Sequence, residues 1–205
     1  GLRLINPFDQ PDVETAKKFC RTILARYKGQ AAVPEEQATI SGDDVLVYTD
    51  LEAANPGAAL GLFLRQTEKT GYVAIHAYVR PAHDTDMALT ELRRIIGKRT
   101  GLATTLGYGP RFLHSTGQLH KGDGGRGLFI QITTNDDRDA PIPDEMGQPS
   151  SSLTFGTLKA AQAAGDRQAL LAAGRQVIRF HLKKDVAETV RQLATQYENR
   201  IVIPA

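Results

Sequence analysis

The chain has 205 residues, 41% hydrophobic and 23% charged, the balance of a soluble globular protein with length for one ordinary domain and a terminal arm. With 25 Lys and Arg against 23 Asp and Glu, the net charge of +2 implies no nucleic-acid partner, and no apolar run approaches the ~18 residues of a membrane helix. The single cysteine, Cys20, excludes an intramolecular disulfide and a cysteine-based metal site and suits a reducing, cytoplasmic setting.

Gly1-Leu2-Arg3-Leu4-Ile5 leads into Asn6-Pro7 with no extended apolar segment, so no signal peptide is expected, and an opening on Gly1 reads as a piece of a longer protein. Pro11, Asp12 and Glu14 then form a helix start: Pro at the first helical position, followed by carboxylates that suit the positive end of the helix dipole. The predicted helix runs over 11–27. Val13, Ala16, Phe19, Cys20, Ile23 and Leu24 make an apolar stripe on it that needs a cover, expected from a neighbouring domain or a second subunit. Residues 29–36 read as a linker. The expected organisation is therefore an N-terminal helical arm over 1–32 and an α/β domain over 33–205, built as a mixed sheet with flanking helices.

Strands are predicted at 45–48, 60–64 and 72–79. In the last, both alternating sets are largely apolar, the mark of a central strand. An amphipathic helix is expected over 84–98 and a strand over 128–133. The stretch 134–152, rich in Asn, Asp, Pro, Gly and Ser, reads as a long loop of the kind that covers a site. Helices at 156–165, 166–174 and 185–199 follow, with a strand at 176–182 between the last two.

Residues 107–122 carry the densest set of chemical groups: Arg111, His114, Ser115, Thr116, Gln118, His120 and Lys121 among Gly107, Gly109, Gly117 and Gly122. Hydroxyls and an amide suit sugar oxygens, imidazoles change protonation near neutral pH, and Arg111 or Lys121 suits an anion. Read from composition alone, the same stretch is a Gly-rich turn with two surface histidines. His114, His120 and Asp123 fit no zinc spacing, and neither a phosphate-binding glycine loop nor a nucleophile elbow is present. No metal or cofactor is expected. His76 reads as a satisfied core histidine, and His83 and His181 have no partner visible in the sequence.

Two peptides carry a family likeness. Phe8-Asp9-Gln10-Pro11-Asp12-Val13-Glu14-Thr15-Ala16-Lys17 resembles the Phe-Asp-Gln-x-Gly-Val-Glu-x-x-Lys signature of phosphoglucose isomerases, departing from it at Asp12, where those enzymes carry Gly. The second, 107–122, resembles the bacterial bifunctional transaldolase/glucose-6-phosphate isomerases. It is also similar to a His-x-x-x-Gln-Leu-x-His-x-Gly stretch of the monofunctional enzymes, matching at His114, Gln118 and Leu119, and at His120 and Gly122 once one residue is deleted. The likeness lies within 1–133; beyond it there is only a general similarity to the tail of those bifunctional proteins.

The resemblance implies aldose–ketose isomerisation of glucose 6-phosphate and fructose 6-phosphate through an enediol. Lys17 and His120 would be catalytic, and Gln10, Arg111, His114, Ser115, Thr116, Gln118 and Lys121 would bind the sugar phosphate. The partners implied are upstream isomerase and transaldolase domains of the parent chain. The general base finds no counterpart, since 106–111 before His114 holds no acid. Two other readings stand beside it: a non-catalytic sugar-phosphate-binding or regulatory module using the 114–122 stretch, and a structural domain docking the isomerase to a partner domain or subunit.

Overall fold

Strand and helix patterns alternate along most of the chain and close into one six-stranded mixed sheet; the computed structural model describes residues 11–27, 36–66 and 70–199. The strands are β1 (Ile40–Ser41), β2 (Val45–Tyr48), β3 (Tyr72–Tyr78), β4 (Ala103–Tyr108), β5 (Gly127–Thr134) and β8 (Gln176–Leu182), with a separate small ladder of β6 (Pro141–Ile142) and β7 (Leu153–Thr154). The sheet order is β1-β2-β8-β5-β3-β4. Strands β4, β3, β5 and β8 run parallel, and β2 and β1 add antiparallel at the β8 side. The helices are α1 (Pro11–Tyr27), α2 (Pro56–Leu64), α3 (His83–Thr100), α4 (Ser115–Gly122), α5 (Phe155–Ala172) and α6 (Val186–Glu198). No helix among the described residues is long and apolar enough to cross a membrane.

The two sheet faces differ in kind. Val73, Ile75 and Ala77 of β3, Leu128, Ile130 and Ile132 of β5, and Ile178, Phe180 and Leu182 of β8 alternate onto one face. There they join Leu60 and Phe63 of α2, Leu89, Leu92 and Ile96 of α3, and Val190 and Leu193 of α6 in the main core. Each such fully buried side chain stabilises the fold by roughly 1.5–3 kcal/mol. The opposite face carries His76, Gln131, Thr133, Arg179 and His181 and is covered by α4 and α5, with α1 lying outside on α5.

Four expectations change. Residues 60–64 belong to α2, not to a strand: the Asn55 side chain accepts from the Ala58 N–H at 2.8 Å, and Pro56 starts the helix. The turn is wholly apolar because it is buried, which hides its period. The two helices expected over 156–174 are one, α5, since Gly165 sits inside it where the α1 backbone passes; a Cβ there would lie 2.7 Å from the Cys20 nitrogen and 2.9 Å from the Ala16 carbonyl oxygen. The stretch 107–122 is not a Gly-rich turn but the end of β4, a 3-10 turn at Arg111–Leu113 and helix α4. The α1 stripe of Val13, Ala16, Cys20 and Ile23 is buried, and it is α5 of the same chain that covers it. Gln10 and residues 28–35 lie outside the described residues.

The α1–α5 contact is thus set by a missing side chain. Gly165→Ala should lower stability by ~1–3 kcal/mol, the usual cost of overpacking, read from the midpoint of urea unfolding. An unchanged midpoint would show that α1 does not approach α5 this closely.

Candidate functional site

The two family-like peptides meet. The Asp12 N–H donates to Gln118 Oε1 at 3.0 Å, and Gln118 Nε2 donates back to the Asp12 carboxylate, so the start of α1 is pinned to α4. Asp12, the departure from the isomerase signature, therefore makes a structural contact. Lys17 is partly exposed and paired with Glu14 at 2.6 Å. Five residues separate Asp12 from Lys17, about 140° around a helix, so the two stand on opposite flanks of the buried stripe. Lys17 consequently points away from α4. Arg111, His114, Ser115 and Thr116 are exposed around the start of α4, whereas His120 and Lys121 turn inward to the sheet.

Inside, α4, α5 and β3 converge on Asp166. The Lys121 ammonium donates to Asp166 Oδ1 at 2.5 Å and to the Phe112 carbonyl at 3.2 Å. His76 Nδ1 lies 3.1 Å from Asp166 Oδ2, and His76 Nε2 lies 2.9 Å from His120 Nδ1. All four residues are buried. Phe112 stacks on the His76 ring at 3.7 Å between centroids, sealing the group from water. Gly117 makes this possible, because any Cβ there would collide with the Phe112 carbonyl.

Burial pushes the Asp166 carboxyl up, but His76 and Lys121 outweigh it and hold the group below the usual carboxylate range. Burial pushes both imidazoles down, His120 to about 4, with the neighbouring His76 contributing. An ionised carboxylate only accepts, so His76 carries its proton on Nδ1, and its Nε2 accepts from the Nδ1–H of His120. At the far end of α4, Arg175 donates to the Lys121 and Asp123 carbonyls at 2.7 and 2.6 Å and pairs with the Asp123 carboxylate, satisfying the helix end.

A separate cavity of about 450 Å³ opens at the C-terminal ends of β3, β5 and β8, against the first half of α5. From β3 the chain leaves through α3 toward β4; from the adjacent β5 it leaves through α5 toward β8, in the opposite direction. Such a switch point is where open parallel sheets bind ligands. The pairing aligns His76, Gln131, Arg179 and Tyr48 in one row across the sheet and Tyr78, Thr133 and His181 in the next. Tyr78, Thr133, Arg179 and His181 line the cavity, joined by Arg167 of α5 and by Asn135, Asp136 and Asp139 of the long 134–152 stretch. Arg167 binds Glu36 through Nη1 at 2.8 and 2.9 Å, while its Nε is buried with no hydrogen-bond partner. Burial, then the Asp166 charge and the contact of the hydroxyl with that carboxylate, push the Tyr78 pKa well above the usual tyrosine value.

Sequence reasoning finds the α4 residues and marks 134–152, part of which lines the cavity, as a site-covering stretch, but it finds neither Asp166 nor the lining residues of β3, β8 and α5. A signal is present all the same: His76, Gln131, Thr133, Arg179 and His181 share one phase of their strands, opposite to the main-core residues, with Ala74, Phe129 and Val177 as the apolar members of that phase. His76 is the satisfied core histidine expected, and His181 finds Thr133 Oγ1 at 3.1 Å.

No protein-family model matches the chain, and no curated protein matches it. Among solved structures it is similar to a hypothetical protein from Thermus thermophilus, with a TM-score of 0.56 and 18% identity over 69% of this chain. The match spans 37% of that protein's length, and at this identity it is a likeness of fold alone.

Two outcomes test the buried group. Lys121→Met strands the Asp166 charge and should cost ~3–5 kcal/mol, much of which Lys121→Met/Asp166→Asn should restore; equal losses in both would contradict the pairing. Because the His120 imidazole is held neutral down to about pH 4 while its unfolded value is near ~6.5, the unfolded chain takes up that proton first. Stability should therefore fall as pH drops through this window, and His120→Gln should flatten the fall in melting temperature.

Proposed function

We propose that the chain is part of a glucose-6-phosphate isomerase and supplies the Lys17 face of α1 to an active site completed by another segment or subunit. The observation that carries this reading is the state of Lys17: a half-exposed ammonium, oriented by Glu14, on a helix fixed by its buried stripe and by the Asp12–Gln118 pair. Moving a proton between C1 and C2 of a sugar builds negative charge on an oxygen, and a positioned cation stabilises that charge or helps open the ring. In this reading His120 and Lys121 act on the site by holding α4 in place. Arg111, His114, Ser115 and Thr116 offer exposed donors on the other flank of α1, available to a second part of the ligand or to the neighbouring segment. A transaldolase segment in the same protein, and a cytoplasmic location, follow from the resemblance and from the buried free thiol of Cys20.

Lys17→Met in the full-length protein carrying this sequence should lower isomerase kcat by ~10² or more, with the melting temperature unchanged because the side chain is partly exposed. Turnover within about twofold of the parent would remove Lys17 from the mechanism. The chain by itself should not interconvert glucose 6-phosphate and fructose 6-phosphate in a coupled assay, and parent-like turnover would overturn the split site.

A further inference from the structure

The cavity at the switch point is not touched by the isomerase reading, and Lys17 is not among the residues that line it. Its walls are mixed polar and apolar, and its carboxylates sit at the exposed mouth. Arg167 and Arg179 enter from α5 and β8, hydroxyls come from Thr133, Thr134 and Thr157, and carboxylates from Asp136 and Asp139. A buried polar group without a partner costs roughly 1–3 kcal/mol in protein contexts, so one left on a cavity wall points to a ligand.

One group stands in that condition: Arg167 lines the cavity and keeps a buried Nε with no hydrogen-bond partner, which a ligand acceptor would satisfy.

The lining also narrows the class of ligand. Guanidinium groups match phosphate or carboxylate oxygens in planar, forked geometry. The ring of hydroxyls and carboxylates matches a chain of sugar hydroxyls, which both donate and accept. A volume of about 450 Å³ holds a six-carbon sugar with one anionic group. A nucleobase would want an open aromatic face, and the Tyr78 ring in the lining is instead packed against Gly109 and lies 6.1 Å from the Phe112 ring.

We infer that this cavity binds a small polyhydroxylated anion, a phosphorylated sugar or a sugar acid, at a site separate from Lys17. Arg167 and Arg179 take the anionic group, and Thr133, Asp136 and Asp139 take the hydroxyls. The inference does not depend on the isomerase reading.

The test is a titration of the whole chain, followed through its backbone amide NMR signals, with glucose 6-phosphate, gluconate, glucose, inorganic phosphate and adenosine monophosphate. Saturable shifts should appear at Thr133, Thr134, Asn135 and Thr157 with glucose 6-phosphate or gluconate, and weaker ones with glucose or phosphate alone. Arg167→Gln should weaken binding about tenfold or more, as loss of one charge-assisted contact does. Ala160→Phe, which fills the cavity from an exposed position on α5 and leaves the core untouched, should do the same in a chain of unchanged circular dichroism. The backbone amides around Lys17 should not shift with gluconate.

No saturation by either sugar anion at about 10 mM would overturn the site, since that is weaker than small-ligand recognition requires. Phosphate binding as tightly as glucose 6-phosphate would overturn the sugar part, and binding of adenosine monophosphate alone would overturn the class. Saturable gluconate shifts centred on the amides around Lys17 rather than on the cavity would overturn the separation of the two sites.

Discussion

An ionised carboxylate with no access to water must be met by donors from the protein itself, and the Asp166 side chain imposes that demand at the meeting point of α4, α5 and β3. Lys121 answers it with charge and His76 with an N–H, and His76 is in turn fixed by His120. Three elements that are distant in sequence are thereby held in one arrangement. An apolar cluster of the same volume would give comparable stability, but it would not specify which face of α4 turns inward or how far α5 slides along the sheet. The charge pair does specify this, since at that depth only Lys121 and His76 bring donors to the Asp166 carboxylate from α4 and β3. Phe112 and Gly117 serve the same end, one by closing over His76 and the other by letting the chain come close enough for it to do so.

The division of the sheet into an apolar and a polar face follows from the same arrangement. On the α3 and α6 side, aliphatic side chains interdigitate in the ordinary way. On the α5 side, the row of His76, Gln131 and Arg179 puts hydrogen-bonding groups where a second apolar layer would otherwise lie. Gln131 is tied to the Ala163 carbonyl of α5 at 2.9 Å, so even the middle of this face is held by directional contacts. Toward the strand ends α5 no longer seals the sheet, and the switch-point cavity is what remains. Small side chains at Ala160, Ala163 and Ala164 keep that space open on the helix side.

How far the sequence reveals this depends on whether the signal is local. The limits of α1 and β8 are readable to the residue, because caps, proline and a sustained period mark them. Strand β4 is invisible: it lies at the sheet edge, and Ala103, Thr104 and Thr105 bury too little to impose an alternating pattern. Gly165 reads as a break, although in the fold it is the point where two helices touch. His120 and Lys121 look like donors for a ligand because nothing nearby in the sequence shows Asp166, 45 positions further on from Lys121, to be their partner. Lys17 and Gln118 read as one constellation, and only the helical phase of α1 shows them on different flanks. The resemblance names a chemistry for these residues without placing them.

The ordering role of Asp166 is tested most directly by the protonation of the two buried imidazoles, read from long-range proton–nitrogen correlations of the histidine rings near neutral pH. The account predicts that His76 and His120 are both neutral and both protonated at Nδ1, His76 toward the carboxylate and His120 toward the bare Nε2 of His76. A protonated imidazolium at either ring, or a proton on Nε2 of His76, would mean that Asp166 does not order this chain of contacts, and the placement of α4 would need another cause.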